Sequence, residues 1–384
     1  MKRPLELYLH IPFCARKCAY CDFLSGVAVR SAHRAYVEQL IQEIACQSAY
    51  YQGYGVTTVF LGGGTPSILE GEEIQAIMEA VRWYFDLQPD AEITIEANPG
   101  TVTMEKLEAY KACGINRISI GLQSADDQDL KTLGRIHTYD DFLKTYQRVR
   151  QAGFTNVNID LMSALPGQTL VSWKNTLKKV LMLKPEHISA YSLIIEEGTP
   201  FYDKYHDHPE LLPDEDEERE IYYATKAMLH DQGFERYEIS NYAKPGYECR
   251  HNIGYWTGVE YLGLGLGASS YIQGFRFRNE ADLKRYLQIQ MNSAEADEKL
   301  HQDIIKLSDN DKMEEFMFLG LRMTDGVSGS EFYERFGHNM WNVYGDALRK
   351  LQEQNLIQVN MPQVKLTELG VDVSNYVLSE FILE

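Results

Sequence analysis

The chain has 384 residues, of which 37 are basic and 56 are acidic, so its formal net charge at pH 7 is −19. This acidic balance argues against a sequence-independent nucleic-acid binder, and six cysteines in a chain of this length argue against a small disulfide scaffold. The apolar runs are too short to span a membrane and the first residues lack the apolar core of a signal peptide, so we expect a cytoplasmic protein with reduced thiols and no nucleic-acid partner.

The first predicted strand, "LELYLHI", runs into three closely spaced cysteines, Cys14, Cys18 and Cys21. Structural zinc sites use four ligands, usually in two separated pairs, whereas these thiols form a single Cx3CxxC group. A [4Fe–4S] cluster takes one thiolate per iron when it is fully ligated, so three thiolates leave one iron open. We therefore predict a [4Fe–4S] cluster on these cysteines, with its open iron occupied by a substrate or cofactor.

The second predicted strand ends in "GGGTP", from Gly62 to Pro66. Glycine lets the backbone approach a ligand closely, and free N–H groups in such a turn can bind a carboxylate. The alternative interpretation is a tight strand-to-helix turn without a ligand. In a parallel barrel this turn and the cysteines would lie at the same end, which favours the ligand-binding interpretation.

Six strand-like runs alternate with helical patterns up to about residue 195, which predicts a parallel sheet in an open or closed barrel with helices outside. Apolar and polar residues alternate within these strands: Ile93 and Ile95 share one face, and Glu96 lies on the other face with Asn98. Asp160 belongs to a similar polar face. Because a buried carboxylate without partners is costly, we expect an inner face that is wet or occupied by a polar ligand. An antiparallel sheet with one solvated face would alternate in the same way.

Beyond residue 195, "RYEISNYA" predicts a further strand, and the polar stretch "QMNSAEADEKLHQD" is interpreted as a linker. From about Ile304, helical patterns lead to "LIQV" and "VKLT", which flank a short turn containing proline. Helices followed by a small hairpin are typical of a winged-helix-like domain. We therefore expect an α/β protein with a barrel and its extension in residues 1–290 and an α+β winged-helix-like domain in residues 304–384.

The cysteine motif and the GGGTP turn together resemble those of the radical S-adenosylmethionine (SAM) superfamily. Within it, "YLHIPFC", "IEANP", "GLQS", "LGRIHT" and "NIDLMSALPGQT" resemble the oxygen-independent coproporphyrinogen III oxidase group. This resemblance implies a partial (β/α)6 barrel in which SAM binds the open iron of the cluster and is cleaved to a 5′-deoxyadenosyl radical. On charge grounds we also expect Arg135 to pair with the buried carboxylates. The residues that the resemblance implies at the SAM site are Tyr8, Tyr20, Gly63, Gly64, Thr65, Glu96, Gln123, Arg135 and Asp160.

Two features are similar to the haem-chaperone branch of this family rather than to the decarboxylating oxidase. The oxidase carries another cysteine two positions after the cluster motif, where this chain has Phe23, and the stretch from His251 to Trp256 matches HNxxYW. The resemblance implies that His251 ligates haem iron, while Tyr255 and Trp256 offer flat surfaces to the macrocycle. Cys249 is another candidate ligand, with a buried structural role as the alternative.

Three functions therefore remain open. The first is a haem carrier that uses its cluster and SAM for regulation, assembly or release of haem to a membrane-bound respiratory protein, with peripheral contact at the membrane and a homodimer left open. The second is a radical SAM decarboxylase of coproporphyrinogen III, against which Phe23 argues. The third is a radical SAM enzyme for another substrate, such as a methyltransferase or RNA modifier, against which the acidic charge argues. Whether SAM is turned over is also left open.

Overall fold

The computed structural model describes residues 2–383. The strands of its main sheet are β1 (Arg3–Ile11), β2 (Tyr54–Gly63), β3 (Leu87–Ala97), β4 (Arg117–Gln123), β5 (Val157–Ser163), β6 (His187–Ser192), β7 (Glu235–Arg236), β8 (Asn241–Ala243), β9 (Tyr261–Leu264), β10 (Ser269–Ile272), β11 (Phe275–Asn279) and β12 (His301–Lys306). Within the described residues, these twelve strands follow the order β12-β11-β10-β9-β1-β2-β3-β4-β5-β6-β8-β7.

Strands β1 to β6 pair in chain order, and every pair is parallel. Their carboxyl ends therefore lie at one edge, as the alternation of strands and helices predicts. The predicted apolar face is confirmed, because Leu9, Ile95, Ile118 and Ile159 are fully buried in the main hydrophobic core. This arrangement confirms the predicted partial (β/α)6 barrel.

The helices between the parallel strands cover the outside of the barrel. Several begin at a residue whose side chain accepts an otherwise unpaired backbone N–H, as Thr138 and Thr169 do at two of them. Among the described residues, no helix combines the length and apolar character needed to cross a bilayer. The helices are α1 (Arg30–Ser48), α2 (Gly71–Tyr84), α3 (Met104–Ala112), α4 (Asp127–Thr132), α5 (Tyr139–Gln151), α6 (Leu170–Leu181), α7 (Pro200–Tyr205), α8 (Glu215–His230), α9 (Arg250–Thr257), α10 (Leu283–Gln288) and α11 (Ala296–Leu300).

The stretch predicted as a linker is ordered, so that prediction is wrong. It contains α11 and the beginning of β12, which pairs antiparallel with β11 at the edge of the main sheet. Met291, Ala296 and Leu300 are buried in the main core. These three apolar side chains anchor a segment whose overall composition is polar, and composition alone does not reveal such anchors.

The C-terminal region has a small hydrophobic core of its own, which includes Met317, Phe332, Leu348 and Val364. Its three-stranded antiparallel sheet has the order β13-β15-β14, and the predicted hairpin is confirmed. The division into residues 1–290 and 304–384 stays a prediction. The elements of this region are α12 (Asp309–Gly320), β13 (Val327–Ser328), α13 (Gly329–Phe336), α14 (Met340–Glu353), β14 (Ile357–Asn360), β15 (Gln363–Leu366), α15 (Glu368–Asp372) and α16 (Ser374–Ser379).

Candidate functional site

A cavity of about 480 Å³ opens at the carboxyl ends of the parallel strands, and we call it the upper cavity. It brings together the cysteine segment after β1, the glycine turn after β2 and inner-face side chains of β3, β4 and β5. All the predicted cluster and SAM residues except Tyr8 line this cavity: Cys14, Cys18, Tyr20, Cys21, Gly63, Gly64, Thr65, Glu96, Gln123, Arg135 and Asp160.

The three thiols of the cluster motif are free and face the same cavity. The Thr65 hydroxyl donates to Cys14 Sγ at 3.5 Å, and the Arg135 Nη1 group donates to Cys18 Sγ at 3.6 Å. Within residues 2–383, no three His, Cys, Asp or Glu side chains converge on one point, as a single zinc ion would require. Two of the three thiols, Cys14 and Cys18, therefore receive hydrogen bonds, which the sulfur ligands of iron–sulfur clusters commonly accept.

Arg135 links the cysteine segment to the inner face of the barrel. Its Nη2 group donates to Asn98 Oδ1 and to the Gly121 carbonyl, each at 2.6 Å, while Asn98 Nδ2 donates to Thr65 Oγ1 at 2.7 Å. The expectation that Arg135 pairs with the buried carboxylates is wrong, since its hydrogen bonds go to an amide, a carbonyl and a thiol. Asn98, which shares the polar face of β3 with Glu96, was not among the predicted site residues.

The two predicted carboxylates hold different partners. Glu96 Oε2 accepts the Gly63 N–H at 3.2 Å, and burial together with the nearby Asp160 raises the pKa of Glu96 to about 8. Asp160 accepts hydrogen bonds from Ser119 at 2.8 Å and Asn158 at 2.7 Å, and burial raises its pKa. Near neutral pH Glu96 can therefore either donate or accept a hydrogen bond at the cavity wall.

The glycine turn holds the cysteine segment in place. The Gly64 N–H donates to the Ile11 carbonyl at 2.9 Å, and the Thr65 N–H donates to the Phe13 carbonyl at 2.7 Å. A Cβ on Gly64 would lie 2.7 Å from the Phe13 carbonyl oxygen, and Gly63 adopts a φ of +107°. The close approach of the two segments therefore requires glycine here. The expectation of free N–H groups is wrong for Gly63, Gly64 and Thr65, because protein acceptors already pair all three.

Tyr8 lies behind the glycine turn rather than along the cavity. The His10 Nε2 atom is 2.8 Å from the Leu24 carbonyl, which can only accept, so this nitrogen carries the proton. The Nδ1 atom of His10 consequently accepts the Tyr8 hydroxyl at 3.0 Å, and burial lowers the pKa of His10. His10, which was not among the predicted site residues, fixes the far end of the cysteine segment through Leu24.

The HNxxYW stretch lies inside the other half of the barrel. It forms helix α9, and the Glu92 carboxylate accepts the backbone N–H groups of Arg250 at 3.0 Å and His251 at 3.2 Å at the start of that helix. We call the inner-face side chains around α9 the lower interior: Glu6, Thr58, Glu92, Arg117, Asn158 and His187, together with His251.

His251 is 1% exposed, and both of its ring nitrogens have partners. Nδ1 lies 2.7 Å from Thr58 Oγ1, and Nε2 lies 3.0 Å from the Tyr255 hydroxyl. Burial lowers the pKa of His251 to about 3 and raises the pKa of Glu6, 3.7 Å away, to about 9, so both groups are neutral near pH 7. In the described arrangement, no lone pair of His251 faces a cavity.

The other candidate haem residues are also engaged within the protein. The Trp256 ring lies under the Arg322 guanidinium at 4.4 Å, and the Tyr255 ring meets the His251 ring edge-on at 4.7 Å. The Cys249 thiol donates to Glu92 at 3.4 Å, and burial raises its pKa to about 12, which keeps it protonated. The structure therefore does not bring the HNxxYW residues to the upper cavity.

Comparisons with known proteins agree with this architecture. The model of the radical SAM superfamily matches residues 8–180, and the model of the HemN C-terminal domain matches residues 307–373. The solved structure of coproporphyrinogen III oxidase (HemN) from Escherichia coli, a radical SAM enzyme, superposes with a TM-score of 0.84 at 26% identity over 99% of this chain and 90% of that chain.

Two relatives define the branch. The chain is 35% identical to the heme chaperone HemW of Lactococcus lactis over 100% of this chain and 99% of that protein. It is 43% identical over 266 residues to the heme chaperone HemW of Escherichia coli, which is 69% of each chain. A relationship at this level of identity and coverage is shared by members of one family. The chain therefore belongs to the HemW family of radical SAM proteins.

Proposed function

We propose that this protein is a haem chaperone that carries a [4Fe–4S] cluster and SAM in the upper cavity, binds haem and delivers it to respiratory haem proteins at the membrane. The observation that carries the proposal is Phe23, which is 59% exposed and lines the cavity beside Cys21. A phenyl ring cannot replace the thiol that the oxidase carries at this position. The names of the HemW relatives support the same function.

The mouth of the upper cavity suits an apolar, flat ligand. Ile136 and Ile194 line it with Phe23, and their side chains are 60% and 68% exposed. Exposed apolar side chains around a concave opening are typical of binding sites. This rim could support one face of a porphyrin while the thiols lie deeper in the cavity.

Different residues of the upper cavity are proposed to bind the cluster and SAM. Cys14, Cys18 and Cys21 are the proposed cluster ligands, and Glu96 is the proposed hydrogen-bond partner of SAM hydroxyl or amino groups. When bound, the cluster and SAM supply one-electron chemistry that no side chain offers. Arg135 holds Cys18 and Asn98 in place, so it positions both the ligand segment and the cavity wall.

His251 remains the proposed haem-iron ligand, with Tyr255 and Trp256 beside the macrocycle, but only in a state in which α9 has left the lower interior. Ligation needs a ring nitrogen, and each nitrogen now has a hydrogen-bond partner at 3.0 Å or less. Haem would therefore have to bind only the second conformation, in which α9 has left the lower interior, and so increase the population of that conformation. Delivery would take place from the cytoplasm, through transient contact with a membrane-bound acceptor.

The alternative function is radical SAM decarboxylation of coproporphyrinogen III, which the likeness to HemN over nearly the whole chain favours. One sample distinguishes the two functions. The anaerobically reconstituted protein is titrated with haem and then assayed for decarboxylation of coproporphyrinogen III. We expect haem binding without decarboxylation, and decarboxylation at a rate comparable to that of an oxidase control would contradict the proposal.

Separate variants test which residue ligates the haem iron. We expect His251→Ala to lose most haem binding while keeping its iron, with the exposed His208→Ala as the matched control. If His251→Ala binds haem as tightly as the control, His251 is not the ligand. Loss of haem binding in Ile136→Ser instead would assign the macrocycle to the rim of the upper cavity.

A further inference from the structure

A second cavity, of about 260 Å³, lies between the barrel extension and the C-terminal region. Its lining residues are far in sequence from Cys14, Cys18 and Cys21, and they belong to other helices and strands than those that line the upper cavity. Strands β7 and β8 contribute Arg236 and Tyr242, the turn after α12 contributes Arg322, and β15 contributes Lys365. None of these residues belongs to the proposed cluster, SAM or haem sites. We call this space the junction cavity.

The junction cavity is positively charged in a strongly acidic protein. Its charged lining comprises the cations Lys226, Arg236, Arg322 and Lys365 and the anions Glu235 and Glu368, so arginine and lysine outnumber the acidic residues by two. Lys226 pairs with Glu368 at 2.6 Å, and Arg236 approaches the same carboxylate only at 3.8 Å. The chain as a whole carries −19, so this local excess runs against the overall charge.

Three donors in the lining lack acceptors among the described residues. They are Arg236 Nε, Arg322 Nε and the Tyr242 hydroxyl. Tyr242 is 2% exposed and the Arg236 side chain is 10% exposed, so bulk water has little access to either group as a hydrogen-bond acceptor. Buried donors are normally paired, and several unpaired donors around one cavity indicate a missing acceptor.

The contacts that these side chains do make leave the donors available. Arg236 Nη1 donates to the Tyr222 hydroxyl, and Arg322 stacks on Trp256. Arg322 Nη2 lies 3.9 Å from Glu238, a distance too long for a hydrogen bond, and burial raises the pKa of Glu238. Glu238 Oε2 itself has no hydrogen-bond partner among the described residues, so Arg322 and Glu238 face each other without a direct hydrogen bond.

We propose that the junction cavity is an anion site that binds a phosphate group through Arg236, Arg322 and Tyr242. Two guanidinium groups and a hydroxyl match the tetrahedral oxygens of phosphate, which arginine recognises through several hydrogen bonds at once. The cavity is smaller than the roughly 300–1,000 Å³ of sites for drug-sized ligands. It therefore fits inorganic phosphate or the phosphate of a larger ligand, and it is too small for haem.

Calorimetric titration of the full-length protein with inorganic phosphate tests this proposal. We expect saturable binding by the wild-type protein, and an affinity at least about tenfold weaker for Arg236→Gln, since a charge-assisted hydrogen bond contributes that much or more. Arg349→Gln removes the same charge from an exposed position on α14 and serves as the matched control. We expect this control to bind phosphate as the wild type does.

Tyr242→Phe removes only the unpaired hydroxyl and keeps the ring, so it tests the site without threatening the fold. We expect it to weaken phosphate binding about threefold or more. Three results would overturn the proposal: no saturable phosphate binding by the wild type, equal binding by Arg236→Gln and Arg349→Gln, or tighter binding of malonate than of phosphate, which would indicate a carboxylate site.

Discussion

The upper cavity and the lower interior are built from the inner faces of the same strands, but helix α9 packs against the side chains of the lower interior. At the top of β3, Glu96 accepts one backbone N–H and then faces about 480 Å³ of cavity. At the bottom of the same strand, Glu92 accepts two backbone N–H groups and a thiol from α9 and the residue before it. A polar inner face therefore identifies a polar interior, but it does not say whether a ligand or the protein itself fills it.

The difference between the two regions leads us to expect the largest effect of a substitution at the cysteines of the upper cavity. Cys18→Ala should remove nearly all of the cluster iron and its absorbance after anaerobic reconstitution, because only three ligands are proposed. Cys46→Ala and Cys113→Ala are the matched controls and should retain their iron, since neither thiol lines the upper cavity. Equal iron loss in a control variant would contradict the assignment of ligands.

In the lower interior, the same reasoning predicts an effect on stability. His251→Ala should lower the free energy of unfolding by about 2–3 kcal/mol, because it removes two buried hydrogen bonds and leaves a cavity beside Glu6. The exposed His208→Ala should change it by less than about 0.5 kcal/mol. Chemical denaturation measures the free energy of unfolding of both variants. If His251→Ala leaves that free energy unchanged, α9 is not anchored through this side chain.

Glu96→Gln should weaken SAM binding about tenfold, since the proposed hydrogen bonds from SAM hydroxyl or amino groups are stronger to an ionised carboxylate than to an amide, which cannot ionise when SAM binds. Its iron content should match that of the wild type, because Glu96 touches no cysteine. Equilibrium binding of SAM to reconstituted protein measures the change. Glu92→Gln, at the other end of β3, is the matched control and should leave SAM affinity unchanged. Equal SAM affinity in Glu96→Gln and the wild type would assign Glu96 a purely structural role.

A further prediction is a pH dependence of stability in the protein without ligands. The pKa of Glu96 is about 8 when the chain is folded and about 4.5 when it is unfolded. Its contribution to stability is therefore fully present below pH 4.5 and is lost as the pH rises towards 8. The stability of Glu96→Gln relative to the wild type should increase across this window, as denaturation at several pH values would show. A difference independent of pH would mean that Glu96 is already ionised in the folded protein.

Residue patterns alone predicted the polar inner face of the upper cavity, because its residues share one face of consecutive parallel strands, whereas Tyr20 and Arg135 were implied at the SAM site only by the family resemblance. Glu96 and Asp160 were found from period-two alternation, and Cys14, Cys18 and Cys21 from local spacing. Asn98 lay on the same face and could have been found in the same way. The role of the glycine turn could not, because the N–H groups of Gly64 and Thr65 are paired by carbonyls more than 50 positions earlier in the chain, and that of Gly63 by Glu96.

The sequence by itself determined the parallel sheet, its apolar and polar faces and the end at which the cysteines lie, because strand periodicity and short motifs are local properties. Only the tertiary structure decided the surroundings of His251 and the partners of Arg135. His251 N–H meets Glu92 across 159 positions, and Arg135 reaches Cys18 across 117. Contacts over such separations depend on how the helices and strands pack together, and no local pattern of residues records that packing.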